Sequence, residues 1–253
     1  MPDISFNFAN RRFIVTGATS GMGRQVAIEL AEAGAIVLAM GRREDCLQEL
    51  KKAFPDNIIP ASLDIRDDGK FEEYIREFVQ KYGKLNGVVH AAGIIESTPL
   101  RTYDEEKAKE IMDISFWRGI RLVQLTNKAK YAEHGCSSIL FSSVAAHIGE
   151  KGLFAYSASK AALQVAVRTL AKEIYKNSKR INTISPGWVK TEMTQKELET
   201  TAVNPEIFNR HLLGLGESQY VSGMILFLLS DRAKWITGQD FVIDGGYLLG
   251  GYN

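Results

Sequence analysis

Only two cysteines, Cys46 and Cys136, occur among 253 residues. Two thiols do not make a disulfide framework, so both are expected to be reduced and buried, as in a cytoplasmic protein. No apolar stretch reaches the roughly eighteen residues of a membrane span, and no cationic leader with an apolar centre opens the chain. The longest apolar run of note, 224–229, is short enough to be one buried helix face. Net charge is also nearly absent. The 31 Lys+Arg and 30 Asp+Glu leave a formal +1, which implies no pull toward nucleic acid or an anionic membrane. Neither repeat, low-complexity tract nor linker divides the sequence, so one core and one domain are expected over 1–253.

What is present is an alternation of apolar runs with stretches of helical periodicity. Strands are expected near 12–16, 35–40, 57–63, 86–91, 137–142, 180–185 and 240–243. Helices are expected near 22–33, 43–53, 68–82, 104–132, 154–177 and 218–230. Val37-Leu38-Ala39-Met40 and Ser138-Ile139-Leu140-Phe141 are continuous apolar or small runs, as in strands covered on both faces. The alternation predicts an α/β protein, a doubly wound, parallel, seven-stranded sheet with helices on both faces. Such sheets hold ligands at the carboxyl ends of their strands. Four polar or glycine-rich segments follow expected strands and should gather at that edge.

The first is Thr16-Gly17-Ala18-Thr19-Ser20-Gly21-Met22-Gly23, between the run Phe13-Ile14-Val15 and a helical stretch from Gln25. Glycines let a backbone approach a pyrophosphate, whose charge suits the free N–H groups of a helix start. Alone, the pattern also fits a tight turn without a ligand. The second feature is Tyr156 with Lys160, four apart and so stacked on one helix face. An ammonium beneath a phenol favours the phenolate and suits the group to proton transfer. Ser143 lies thirteen positions before Tyr156.

These motifs stand in one order: T-G-A-T-S-G-M-G at 16–23, L-D-I at 63–65, H-A-A-G at 90–93, S-S at 142–143, Y-S-A-S-K at 156–160, P-G-W-V-K-T-E-M at 186–193 and I-T-G-Q-D-F-V-I-D-G-G at 236–246. In that order and spacing the chain resembles the short-chain dehydrogenase/reductase family over about 12–246. The resemblance implies a single-domain Rossmann fold and an NAD(P)-dependent enzyme interconverting a ketone and a secondary alcohol. It makes Tyr156 the general acid or base, Lys160 the group that lowers its pKa and holds the nicotinamide ribose, and Ser143 a donor to the substrate oxygen. Ser142 is the rival to Ser143, and the thirteen-residue gap selects the latter.

By the same resemblance the cofactor contacts are Gly17, Thr19, Ser20, Gly21, Met22 and Gly23; Asp64 and Ile65 at the adenine; His90, Ala91, Ala92 and Gly93; and Pro186, Gly187, Val189 and Thr191 toward the nicotinamide. His90 stands where asparagine is commoner, and a histidine after an apolar run is often a hydrogen-bonded core residue. The place of an NAD-selecting carboxylate holds Gly41, followed by Arg42 and Arg43. A guanidinium pairs with a 2′-phosphate, so NADP is expected, with NAD as the alternative; both arginines could also be solvated charges. Of the two, Arg42 is preferred.

A relay asparagine usual in the family is replaced by Ser115, a candidate participant in proton transfer. Asp113 is out of phase and is not given that role. Ala145, His147, Ile95, Trp188 and Phe154 are expected at the pocket wall, with His147 reading a polar substrate group or standing as a loop histidine. Residues 192–215 resemble a substrate lid. The commonest activity of such sequences is reduction of a 3-oxoacyl thioester; a sugar or polyol ketone reductase is the alternative, and a dinucleotide-sensing scaffold the non-enzymatic one. No metal is expected. A small-molecule carbonyl or alcohol is the expected partner, and the long fourth and fifth helices and the apolar tail 247–252 suggest a homo-oligomer, a tetramer or dimer.

Overall fold

The strand β1, Arg12–Thr16, lies inside a seven-stranded sheet, and its residues Phe13–Thr16 are buried with strand partners on both sides. It pairs with β2 (Ile36–Gly41) and with β4 (Leu85–His90), so that Thr16 lies between Met40 and His90. Outward from these run β3 (Ile58–Ser62) on one side and β5 (Ala132–Phe141), β6 (Arg180–Pro186) and β7 (Asp240–Ile243) on the other. The order is β3-β2-β1-β4-β5-β6-β7, and all pairs are parallel. The computed structural model describes residues 4–192, 194 and 210–250.

Alternate residues of each central strand enter opposite cores, which is why the strands read as unbroken apolar runs. Phe13, Val15, Val37 and Ala39 pack on α1 (Gly21–Glu32), α2 (Glu44–Ala53) and α8 (Ser218–Leu229). Ile14, Leu38 and Met40 face α3 (Asp68–Tyr82) and α5 (Arg118–Thr126). The long α7 (Phe154–Ile174) covers β5 and β6 through Leu163, Val167 and Ile174. This is the doubly wound arrangement expected, and the chain order reverses between β1 and β4. A ligand of such a sheet sits at that crevice.

The expected helix 104–132 is not one helix. It comprises α4 (Glu105–Met112), a π turn at Asp113–Trp117, and α5, which stops at Thr126. The apolar pattern continues beyond, but Tyr131 and Ala132 are drawn into the core beside α3, and Leu85 N–H donates to the Tyr131 carbonyl. Sheet pairing therefore begins at Ala132, five residues before the expected start. A short helix, α6 (Ala145–Ile148), was not anticipated. Cys136 is buried on β5, whereas Cys46 on α2 is only half-buried; neither is in a disulfide. Among the described residues no helix is long and apolar enough to cross a membrane.

Candidate active site

Segments following β1, β2, β3, β4, β5 and β6 meet in a cleft of about 600 Å³, within the usual size of a cofactor or ligand site. At one end β1 turns into α1. Gly17 has φ +70°, and a Cβ there would lie 2.8 Å from the Ala91 carbonyl carbon, so a side chain would force apart the β1 and β4 turns. A Cβ on Gly23 would collide with the Gly17 carbonyl. The first turn of α1 holds no acidic residue, and Ser20 makes no side-chain cap to it. Its N–H groups are thus free to meet an anion. Thr19, Ser20, Gly21, Met22 and Gly23 all line the cleft.

Gly41 is packed against Thr19, whose Cγ2 would be 2.5 Å from an added Cβ. Arg42 and Arg43 both border the cleft but differ in their partners. Arg43 donates to the Thr19 carbonyl at 2.9 Å and to Glu192 at 2.8 Å, which holds its pKa above the ordinary value. Arg42 is exposed and takes no hydrogen bond or ion pair among the described residues. Beyond them, Asp64 and Ile65 form the next wall; the Asp64 carboxyl is lowered by the Arg66 guanidinium, 2.6 Å away.

Ala91, Ala92 and Gly93 also line the cleft, but His90 does not. Its ring is buried behind β4. Thr16 Oγ1 lies 2.9 Å from His90 Nδ1 and accepts from Ala92 N–H, and His90 Nε2 lies 3.1 Å from the Ile114 carbonyl. A carbonyl can only accept, so Nε2 carries the proton and Nδ1 accepts from Thr16. Burial, reinforced by the nearby Lys160, pushes the imidazole pKa down to about 3. His90 is a neutral strut between the β1 end at Thr16 and the π turn. Gly119 makes room for it: a Cβ there would lie 2.9 Å from the ring.

Ser143, Tyr156 and Lys160 converge at the middle of the cleft. Ser143 Oγ accepts from Ala145 N–H at 3.1 Å, while Ser142 Oγ donates to the Lys160 carbonyl at 3.0 Å and thereby ties α7 to β5. Lys160 is 4 % exposed and its Nζ donates to the Phe141 carbonyl at 2.7 Å. The same Nζ lies 5.6 Å from the Tyr156 ring centre. Burial lowers the ammonium pKa to about 8 by penalising the charged form. Ser115, on the π turn, is wholly buried, and its Oγ has no hydrogen-bond partner among the described residues. A Cβ on Gly93 would lie 3.4 Å from Lys160 Nζ and 3.5 Å from Ser115 Oγ, so both groups face one small space. Asp113 is taken up by Arg118 at 3.0 Å.

Toward β6 the wall is Pro186, Gly187, Trp188, Val189 and Thr191. Thr194 Oγ1 donates to the Val189 carbonyl and accepts from Thr191 N–H. Of the expected pocket residues, Ile95, Ala145 and Trp188 line the cleft. His147 and Phe154 do not. His147 Nε2 lies 2.9 Å from Asp240 and from Gln164, fastening α6 to β7, and Phe154 packs on Tyr103 outside. Most of the candidate lid, 193 and 195–209, lies outside the described residues, as does the end of the apolar tail.

The sequence reading missed several cleft residues, among them Ile94, Val144, Leu153 and one carboxylate. Glu150 lines the cleft, and Tyr247, 1 % exposed, donates to it at 3.0 Å. Burial followed by the Glu150 charge raises the Tyr247 pKa. His211 stacks on Tyr247 at 4.6 Å and accepts from Trp188 N–H. The only sequence signal was a carboxylate in a glycine-bounded turn, G-E-K-G, between Ser143 and Tyr156.

A family model described as Enoyl-(Acyl carrier protein) reductase matches residues 17–248. The 3-oxoacyl-[acyl-carrier-protein] reductase FabG of Thermotoga maritima is 30% identical over 239 residues, spanning 93% of this chain and 97% of the relative. D-erythrulose reductase of Gallus gallus is 31% identical over 250 residues, 98% and 99% of the two chains. The crystal structure of a short-chain dehydrogenase/reductase SDR:Glucose/ribitol dehydrogenase from Brucella melitensis superposes with a TM-score of 0.90 at 25% identity, covering 96% of this chain and 99% of that one. With the fold, the ordered motifs and these full-length likenesses, the chain belongs to the short-chain dehydrogenase/reductase family of NAD(P)-dependent oxidoreductases.

Proposed function

We propose that the protein is an NADP(H)-dependent oxidoreductase that interconverts a ketone and a secondary alcohol, with Tyr156 passing the proton. The observation that carries this reading is the convergence of Ser143, Tyr156 and Lys160 in the cleft that the glycine turn opens. The turn fits a dinucleotide: Gly17 and Gly23 admit no side chain, and the uncapped start of α1 suits a pyrophosphate. When bound, the nicotinamide supplies or accepts the hydride. The chain's own residues orient the carbonyl and move the proton. Ser143 Oγ donates to the substrate oxygen, where negative charge develops. The Tyr156 hydroxyl gives its proton to that oxygen in reduction and takes it back in oxidation. Lys160, charged below pH about 8, favours the phenolate left behind. Ser115 Oγ, facing the same space as Lys160 Nζ, is the candidate to return the proton.

The preference for NADP(H) rests on two observations. Thr19 leaves no room for a carboxylate side chain at position 41, and Arg42 is unpaired among the described residues where a 2′-phosphate would meet it. The test is a panel of ketones with NADPH and NADH, on wild type and Tyr156→Phe. NADPH-dependent reduction that Tyr156→Phe abolishes is expected. Binding of NADPH with no reduction of any ketone, unchanged by Tyr156→Phe, would instead support a nucleotide-sensing scaffold. Exposed Trp117, Val165 and Leu249 support a homo-oligomer, and a monomer mass in solution at micromolar concentration would refute it.

A further inference from the structure

Resting on the reading above, we infer that the substrate is a hydroxylated ketone, polyol-like, whose hydroxyl hydrogen-bonds Glu150. The substrate side of the cleft is otherwise apolar: Ile94, Ile95, Val144, Ala145, Leu153 and Trp188. Among them stands one carboxylate. It is held from two directions. Its backbone N–H donates to Ser157 Oγ at 3.3 Å and its carbonyl accepts from Leu153 N–H at 3.0 Å, which fixes it at the start of the helix that carries Tyr156. Its side chain takes the hydroxyl of Tyr247, whose ring stacks on His211 and is fully enclosed.

That hydroxyl uses one of roughly four lone-pair sites on the carboxylate. Glu150 lines the cleft and makes no ion pair among the described residues, so it keeps acceptor sites for a ligand. A half-buried carboxylate against apolar walls favours a ligand that brings donors and disfavours one that brings only hydrocarbon or more negative charge. A 3-oxoacyl thioester brings no hydroxyl or N–H donor on the carbons flanking its ketone. A hydroxyketone brings one or more. Sites built to bond a substrate hydroxyl reject the analogue lacking it far more strongly than apolar pockets reject an added one. The reduction itself balances as ketone, NADPH and one proton giving the secondary alcohol and NADP+, with the proton passing through Tyr156.

The test compares kcat/KM with NADPH for 1-hydroxybutan-2-one, butan-2-one, aminoacetone, and the N-acetylcysteamine thioester of 3-oxobutanoate. Each is measured on wild type, Glu150→Gln, Glu150→Ala and Tyr247→Phe. Wild type is expected to favour the hydroxyketone over butan-2-one by about tenfold or more, chiefly through KM. Glu150→Ala should collapse that ratio toward one. Glu150→Gln, which keeps the shape and an acceptor, should retain part of it while losing any preference for the cationic aminoacetone. NADPH titration by fluorescence reports whether each variant is folded and still binds nucleotide. Turnover with no hydroxyl preference in wild type, a preference for the thioester, or a ratio untouched by Glu150→Ala would overturn this inference alone. No turnover of any ketone would sink the oxidoreductase reading beneath it.

Discussion

Replacing Lys160 by methionine should make the protein more stable and inactive at once. Lys160 is buried with its charge, and burial takes its pKa from 10.5 down to about 8. At 1.36 kcal/mol per pKa unit, the charged form therefore destabilises the fold by about 3 kcal/mol at neutral pH. Methionine has nearly the length of the lysine stem and fills irregular space without a cavity. Against the gain stands the Phe141 carbonyl, which loses its donor at 2.7 Å, a cost of about 1–2 kcal/mol. The net is about 1–2 kcal/mol in favour of Lys160→Met, or a rise in Tm of roughly 2–8 °C for a chain of this size. The pH dependence carries the sign. Between about 8 and 10.5 the unfolded lysine holds a proton that the folded one has lost, so wild-type stability rises with pH across that window. Below 8 the penalty is complete. The advantage of the variant should thus be constant below pH 8, shrink from 8 upward and reverse at about pH 9–10, where the remaining penalty falls below the cost of the lost hydrogen bond. Paired denaturant titrations at pH 7, 9 and 10.5 would measure it. A Lys160→Met protein less stable than wild type at pH 7, or a difference flat with pH, would refute the reasoning.

Two further predictions concern neighbouring groups. Arg42→Ala should raise KM for NADPH by about ten- to a hundredfold, the loss of one charge-assisted pairing of about 1.5–3 kcal/mol, and leave KM for NADH nearly unchanged; Arg43→Ala, whose guanidinium is already held by Glu192 and Thr19, should discriminate less, and equal effects on both cofactors would dispose of the 2′-phosphate assignment. His90 is neutral in the fold down to pH about 3, whereas the unfolded imidazole gains a proton below about 6.5. Stability should fall with acid through that window, by about 3 kcal/mol between pH 7 and 4.5 more than in His90→Asn; identical acid titrations of the two proteins would show that the ring is not a neutral strut.

The architecture was legible because buried parallel strands demand apolar side chains on both faces, and Val37–Met40 and Phe13–Val15 met that demand without interruption. The helix at 104–132 was misjudged for an equally physical reason. Periodicity reports which residues face a core, but not the hydrogen-bond register between them. The π turn at Asp113–Trp117 keeps the residues helical while rotating the face they present. Likewise Tyr131 and Ala132 are apolar in either state, and only the sheet edge offered by Leu85 decides that they leave the helix.

At the site, what could be read was whatever sequence neighbours determine. Tyr156 and Lys160 share one helix face, and the glycines are needed where backbones touch, so both were visible. Residues joined only through space were not. His147 was read as a pocket-wall or a loop histidine, because Asp240 and Gln164, which claim its ring, lie on β7 and α7 and have no sequence link to it. Glu150 was overlooked because its environment is assembled from Trp188 and Tyr247, the latter almost a hundred residues away. The same division separates chemistry from specificity. The groups proposed to handle the proton come from contiguous motifs that fix their own geometry, whereas the proposed substrate wall is set by long-range packing between the Glu150 turn, the segment after β6 and the residues after β7. A change at Tyr247 would therefore alter which ketone is preferred while leaving Ser143, Tyr156 and Lys160 where the sheet edge puts them.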